Sequence, residues 1–231
     1  MRFRSGNPVL KNVANQTYIS DEAVTYSNVA YKTVFLLALV IGSAFLTLSY
    51  VENLSLGILI GAAIVGLISV IVGTRSVRLS PIFASIYAVS EGIVLAVVSV
   101  LYASYFDGIV PTALVTTLIV LIIMLVLYST RVIKVTQRFA SIFVIALISV
   151  IIMSILSFIL PFGGNLYYLI VVISAVLSAF FLLLDFKAIE SCVESGADAK
   201  YGWVLSLGLL VTLVWIYIEM LRLLAIISRR R

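Results

Sequence analysis

Charged residues are sparse along this chain, and the gaps between them set the first reading. Residues 33–51 carry no charge, nor do 53–74, 79–90, 92–106, 108–130 or 139–184. About 20 predominantly apolar residues carry a helix across the hydrocarbon core of a bilayer. The last run is long enough for two crossings, and residues 161–165 (PFGGN) break it near its middle. Residues 202–228 give a final span interrupted by Glu219 and Arg222. The pattern therefore predicts seven membrane helices, over 33–51, 54–74, 80–105, 109–130, 139–160, 166–185 and 203–228. Barrel strands would alternate polar and apolar positions, whereas these runs are apolar all round. Pro81, Pro111 and Pro161 fall at connections or first turns, where a missing N–H costs little. Gly57 and Gly61 place a GxxxG in the second span, a small face that permits close helix contact.

Composition agrees. The 231 residues are 63% hydrophobic and 11% charged, and the mean hydropathy is +1.26. A soluble domain is about half apolar and about a quarter charged, so a soluble enzyme, a disordered chain and a secreted disulfide scaffold are all excluded. Cys192 is the single cysteine and has no partner for an internal disulfide. The chain has no histidine, which removes Ser-His triads, histidine metal cages and histidine pH switches together. A net charge of +5 reports basic cytoplasmic loops in such a protein, not nucleic-acid binding.

The basic residues also give an orientation. Arg2, Arg4, Lys11 and Lys32 precede the first span, and alternate connections hold Arg75, Arg78, Arg131, Lys134, Arg138, Lys187 and Lys200. The other three loops hold no basic residue, and two carry the acids Glu52 and Asp107. The positive-inside rule places the N-terminus in the cytoplasm of a multi-pass protein of the cytoplasmic membrane. Seven spans put Arg229, Arg230 and Arg231 on the opposite face, against the rule; a re-entrant last helix would return them. The organisation expected is a cytoplasmic arm over residues 1–32, a transmembrane domain over 33–228 and a basic end over 229–231. Residues 17–30 of the arm are expected to pack on the membrane surface.

Function is sought where ionisable groups sit at depth, because each costs about 2.5–3.5 kcal/mol or more there. Glu91 lies near the middle of the third span, Asp185 ends the sixth on its cytoplasmic side, and Glu219 lies within the seventh. Desolvation favours the neutral form of a buried acid, so all three are candidate proton sites. Thr212, Trp215, Glu219 and Arg222 share one helical face, as do Ser174, Ser178, Phe181 and Asp185, and Tyr87 shares a face with Glu91. Each acid also has a structural reading. Glu219 and Arg222 are spaced to form a static ion pair, Asp185 suits headgroup water beside Lys187, and Glu91 suits permanent protonation. Glu190, Glu194 and Asp198 read as a solvated loop, and Cys192 as inert. The last span has no lysine for retinal, only one aspartate lies at depth, and neither a Walker motif nor a Rossmann fingerprint is present. An enzyme is not expected.

Five segments carry a resemblance: residues 4–10 (RSGNPVL), 81–95 (PIFASIYAVSEGIVL), 128–139 (YSTRVIKVTQRF), 182–190 (LLLDFKAIE) and 208–224 (GLLVTLVWIYIEMLRLL). In order and spacing they resemble the bacterial branch of the Bax inhibitor-1 family, also called the transmembrane BAX inhibitor motif family. The resemblance implies an all-α seven-transmembrane-helix bundle with the last helix central and the other six around it. It implies a pH-sensitive Ca2+ leak in which carboxylates on the sixth and seventh helices share a proton when closed. Some members look like modulators of a membrane-bound protease. Asp185 matches the sixth-helix acid, with Phe186 and Ile189 after it. The seventh-helix aspartate falls on Thr212, and the arginine some members carry in the second helix is missing. The reading adopted is that Glu219 and Glu91 rebuild the carboxylate site.

The expected function is then a cation leak or exchanger, Ca2+ the candidate, gated by protonation. Asp185 would be the cytoplasmic gate, Glu219 the deep proton or ion site, Glu91 its partner and Arg222 a tuning charge, with Thr212, Tyr87 and Ser178 lining the route. Hard cations want several oxygen ligands, and Asp185 with Glu219 would offer a weak, transient Ca2+ site. No cofactor is expected beyond Ca2+ and H+ as transported or regulatory ions. The rival reading is a regulator whose arm binds a membrane protease or another membrane partner. Deleting residues 1–28 should then abolish partner binding and spare flux.

Overall fold

The computed structural model describes residues 22–50, 55–159 and 164–229. They form seven helices: α1 Tyr26–Leu48, α2 Leu56–Arg75, α3 Ser80–Ala103, α4 Ile109–Ser129, α5 Gln137–Ile159, α6 Gly164–Glu194 and α7 Tyr201–Ser228. All seven are long and apolar enough to cross a membrane. The local signals are those the sequence offers. Thr25 and Ser55 cap α1 and α2 by accepting from the Asn28 and Ile58 N–H groups. Pro81 occupies the first turn of α3, and Gly108, with φ +70, turns the chain into α4.

Two boundaries differ from those the charges predict, for one reason. Helix α1 begins at Tyr26, so Tyr26 to Lys32 are its first turns and not part of a polar arm; the earlier residues 1–21 lie outside the described residues. Helix α6 continues nine residues past Asp185, to Glu194. The lysine inside each extended helix is paired: Lys32 donates to Asn28 Oδ1 and the Ala199 carbonyl, both at 2.7 Å, and Lys187 donates to Glu190 Oε2 at 2.6 Å. A charge satisfied in this way need not mark a helix end.

Helix α7 is central, with two-thirds of its most apolar stretch buried. It packs against α1, α2, α3, α4 and α6. Helix α5 departs from the expected ring of six: its main neighbour is α6, and none of its most apolar stretch is buried. On α2 the contact face is Ala62, Gly66, Ser69 and Gly73, a small-residue stripe on which α3 packs. Gly57 and Gly61 are not on it. A Cβ on Gly61 would meet nothing within 4 Å, and one on Gly57 only its own Ser55. The GxxxG therefore makes no helix contact among the described residues.

Candidate functional site

Helices α6 and α7 are joined by a short connection and pack along their length, and two of the three acids lie between them. Asp185 is the inner one. Its Oδ1 would lie 3.9 Å from a Cβ built on Gly208, so the missing side chain there leaves its place open. Thr212, one turn along α7, sets its hydroxyl against the same carboxylate while donating to the Gly208 carbonyl at 3.3 Å. Asp185 Oδ2 is buried with no hydrogen-bond partner among the described residues. Asp185 thus sits inside a long helix against α7, nine residues before that helix ends. The position where the resemblance places a second aspartate, Thr212, is the position that faces it.

Glu219 sits elsewhere on the same interface. It is 2% exposed, and its Oε1 accepts from Ser174 Oγ at 2.7 Å, Trp215 Nε1 at 3.2 Å and Arg222 Nη1 at 3.3 Å. Its Oε2 is buried without a hydrogen-bond partner among the described residues. Tyr102 of α3 stands beside Arg222. Asp185 lies eleven residues from Ser174 along α6, and Glu219 lies seven residues past Thr212 and eleven past Gly208 along α7. At 1.5 Å per residue the two carboxylates differ in depth by about 10–16 Å. They do not form a dyad.

Glu91 is separate from both. Its Oε2 and the Tyr87 ring lie over Gly66 of α2, 3.7 and 3.8 Å from where a Cβ would be. Tyr87 and Glu91 do share one face, as their spacing requires. That face looks at α2. The Ser99 hydroxyl and Tyr217 Oη are 2.7 Å apart and fix the register of α3 against α7. Glu91 lies eight residues before Ser99, and Glu219 two after Tyr217, so on these parallel helices they are about 15 Å apart in depth. The expected Glu219–Glu91 site is therefore not assembled. Among the described residues no three acid or cysteine side chains converge on one point. Ser178 is fully buried but donates to the Ala175 carbonyl at 2.8 Å and reaches neither acid.

Two clusters escape sequence reasoning. Glu190 is held by Lys187 at 2.6 Å, by the Tyr128 hydroxyl at 2.6 Å and by Arg131 at 3.7 Å, which ties α4 and the connection just after it to α6. It belongs to a network, not to a solvated loop. The second cluster gathers Asn28, Lys32, Ala199 and Trp203 where α1 meets the connection before α7. Only the Lys187–Glu190 and Asn28–Lys32 spacings were visible locally; the other partners are distant in sequence.

A comparison with curated proteins finds no match. The family model described as Bax inhibitor 1 like matches residues 7–229. That match covers nearly the whole chain, all seven spans and the α6–α7 interface carrying Asp185, Thr212 and Glu219, and the chain belongs to the Bax inhibitor 1 like family.

Proposed function

We propose that this membrane protein is a cation leak, with Ca2+ the candidate ion, closed where Asp185 of α6 meets Gly208 and Thr212 of α7. The observation that carries this reading is the buried, unpartnered Asp185 Oδ2 at the contact between two long helices. Thr212 and Gly208 bring no positive charge to it, and Lys187, two residues away, is engaged by Glu190. Protonated, Asp185 makes a neutral contact. Ionised, it is an uncompensated charge between helices, costing several kcal/mol, and the pair is driven apart. Proton loss opens the route and acid closes it. One carboxylate beside a hydroxyl does the work that the family resemblance gives to two carboxylates. Glu219 is a second polar station on the same interface, and Glu91, turned toward α2, is outside the route. Membership of the family supports the reading, and the clustering of basic residues at one end supports a cytoplasmic-membrane protein with its N-terminus inside.

The test is Ca2+ uptake by liposomes holding the purified protein at acid, neutral and mildly alkaline pH. Wild-type flux should rise with pH by roughly tenfold or more, as a closed-state cost of this size implies. Asp185→Asn, which cannot ionise, should hold flux at the acid level throughout. Glu219→Gln should lower flux at every pH without changing the shape of the profile, and Glu91→Gln should leave both unchanged. A wild-type flux no greater than that of empty liposomes, from folded protein, would sink the leak and favour the partner-binding regulator.

A further inference from the structure

The connection between α6 and α7 is gripped by the residues that lead into α1. Ala23 opposes Asp198 in an antiparallel bridge. The Val24 N–H donates to the Ala197 carbonyl at 2.7 Å, and the Ala199 N–H donates to the Glu22 carbonyl at 3.1 Å. Val24 and Ala197 are 1% and 3% exposed, so this short pairing is built into the protein and not laid over it. A few residues on, Lys32 bonds Asn28 and the Ala199 carbonyl, and its ammonium lies 5.3 Å from the centre of the Trp203 ring. The Val29 carbonyl accepts from Ser206 Oγ at 2.9 Å. Gly202 leaves room for this pair, since a Cβ there would displace Asn28 Oδ1 and Lys32 Nζ.

These contacts bear on the gate by register. On α7 the residues held by α1 are Gly202 and Ser206; those facing Asp185 are Gly208 and Thr212, each six residues and so between one and two turns further. Helix α7 is clasped by α1 on one side and by α6 on another, with the connection between them pinned to residues 22–24. We propose that residues 22–32 are a closing strap: the two helices part at Asp185 only when the strand pair and the hold of Lys32 give way. The inference rests on the leak reading above. It also changes what a deletion means. Removing residues 1–28 takes the strap away, so flux should rise and not be spared, whereas a cut after residue 21 leaves it.

The strap can be locked. Opposed residues flanked by hydrogen bonds in the pattern seen here have Cα atoms about 4.5 Å apart, within the span of a disulfide. In a Cys192→Ala background, Ala23→Cys with Asp198→Cys should give a protein whose Ca2+ flux falls severalfold on oxidation and returns with reductant. Equal flux in the oxidised and reduced protein overturns the strap. A second readout does not depend on flux. Cys192 is 7% exposed and shares the buried cluster of Val24 and Ala197. Lys32→Met in the otherwise native chain should raise its maleimide labelling rate by roughly tenfold, the effect of losing one charge-assisted hydrogen bond. If wild type does not conduct, the leak reading has failed, and the labelling alone decides: a faster rate upholds the strap, and an unchanged rate overturns it.

Discussion

Glu219 concentrates three donors on one oxygen and leaves the other buried and bare. Ser174 and Trp215 are neutral, so among the described residues Arg222 supplies the charge that answers it. The pair is uneven: the Arg222 side chain is 41% exposed, and that of Glu219 is 2%. Exposure at the arginine end reduces its worth, while burial at the glutamate end raises the cost of losing it. Arg222→Gln should therefore destabilise the protein by about 1–2 kcal/mol, less than a fully buried pair would lose. The effect should largely vanish when Glu219→Gln is already present. A double-mutant cycle on unfolding in detergent checks this, and additive losses would show that the two side chains do not support each other.

Between helices, what matters is where a missing side chain lets backbones approach. Gly92 of α3 lies against α1 so closely that a Cβ would collide with the Val40 carbonyl and the Ser43 hydroxyl. The carbonyl is backbone and cannot swing aside. Gly92→Ala should cost about 1–3 kcal/mol by overpacking. Gly61→Ala should be neutral or stabilising by up to about 1 kcal/mol, because nothing lies near it and alanine is the better helix former. Thermal unfolding of the two variants side by side tests the assignment, and a large loss from Gly61→Ala would mean that its face is covered after all. The same contrast shows how far sequence carries. All seven helices were legible, because length and apolarity suffice to place a span. The packing glycines were not, since Gly57 and Gly61 fit a motif while Gly66 and Gly73 touch neighbours, and only tertiary packing separates them. The three acids stood out as ionisable groups in apolar runs. Same-helix partners such as Arg222 stood out with them and the resemblance pointed to Thr212, but the approach of Ser174 to Glu219 did not, because it depends on the antiparallel register of α6 against α7. The strand pair at Ala23 and Asp198 left no periodic signal in two or three residues.

Over the whole molecule, the two ends differ in charge, and α7 fixes how they relate. Its 28 residues form one unbroken helix from Tyr201 to Ser228, about 42 Å long, which exceeds the roughly 30 Å hydrocarbon core. A helix of that length crossing the core end to end puts the connection with Lys200 and the terminal Arg229 on opposite faces. The seven-helix order puts Arg75, Arg131, Lys187 and Lys200 at one end of the bundle and Arg229 at the other, and the positive-inside rule favours the first end as the cytoplasmic one. In a Cys192→Ala background, single cysteines at Ser195 and Ser228 report the two faces, both positions being exposed. In intact cells a membrane-impermeant maleimide should label the Ser228→Cys protein and spare Ser195→Cys, and inverted vesicles should reverse the pattern. Labelling of both from one side would mean that α7 does not cross, and the α6–α7 interface holding Asp185 and Glu219 would then not span the bilayer as a conduction route must.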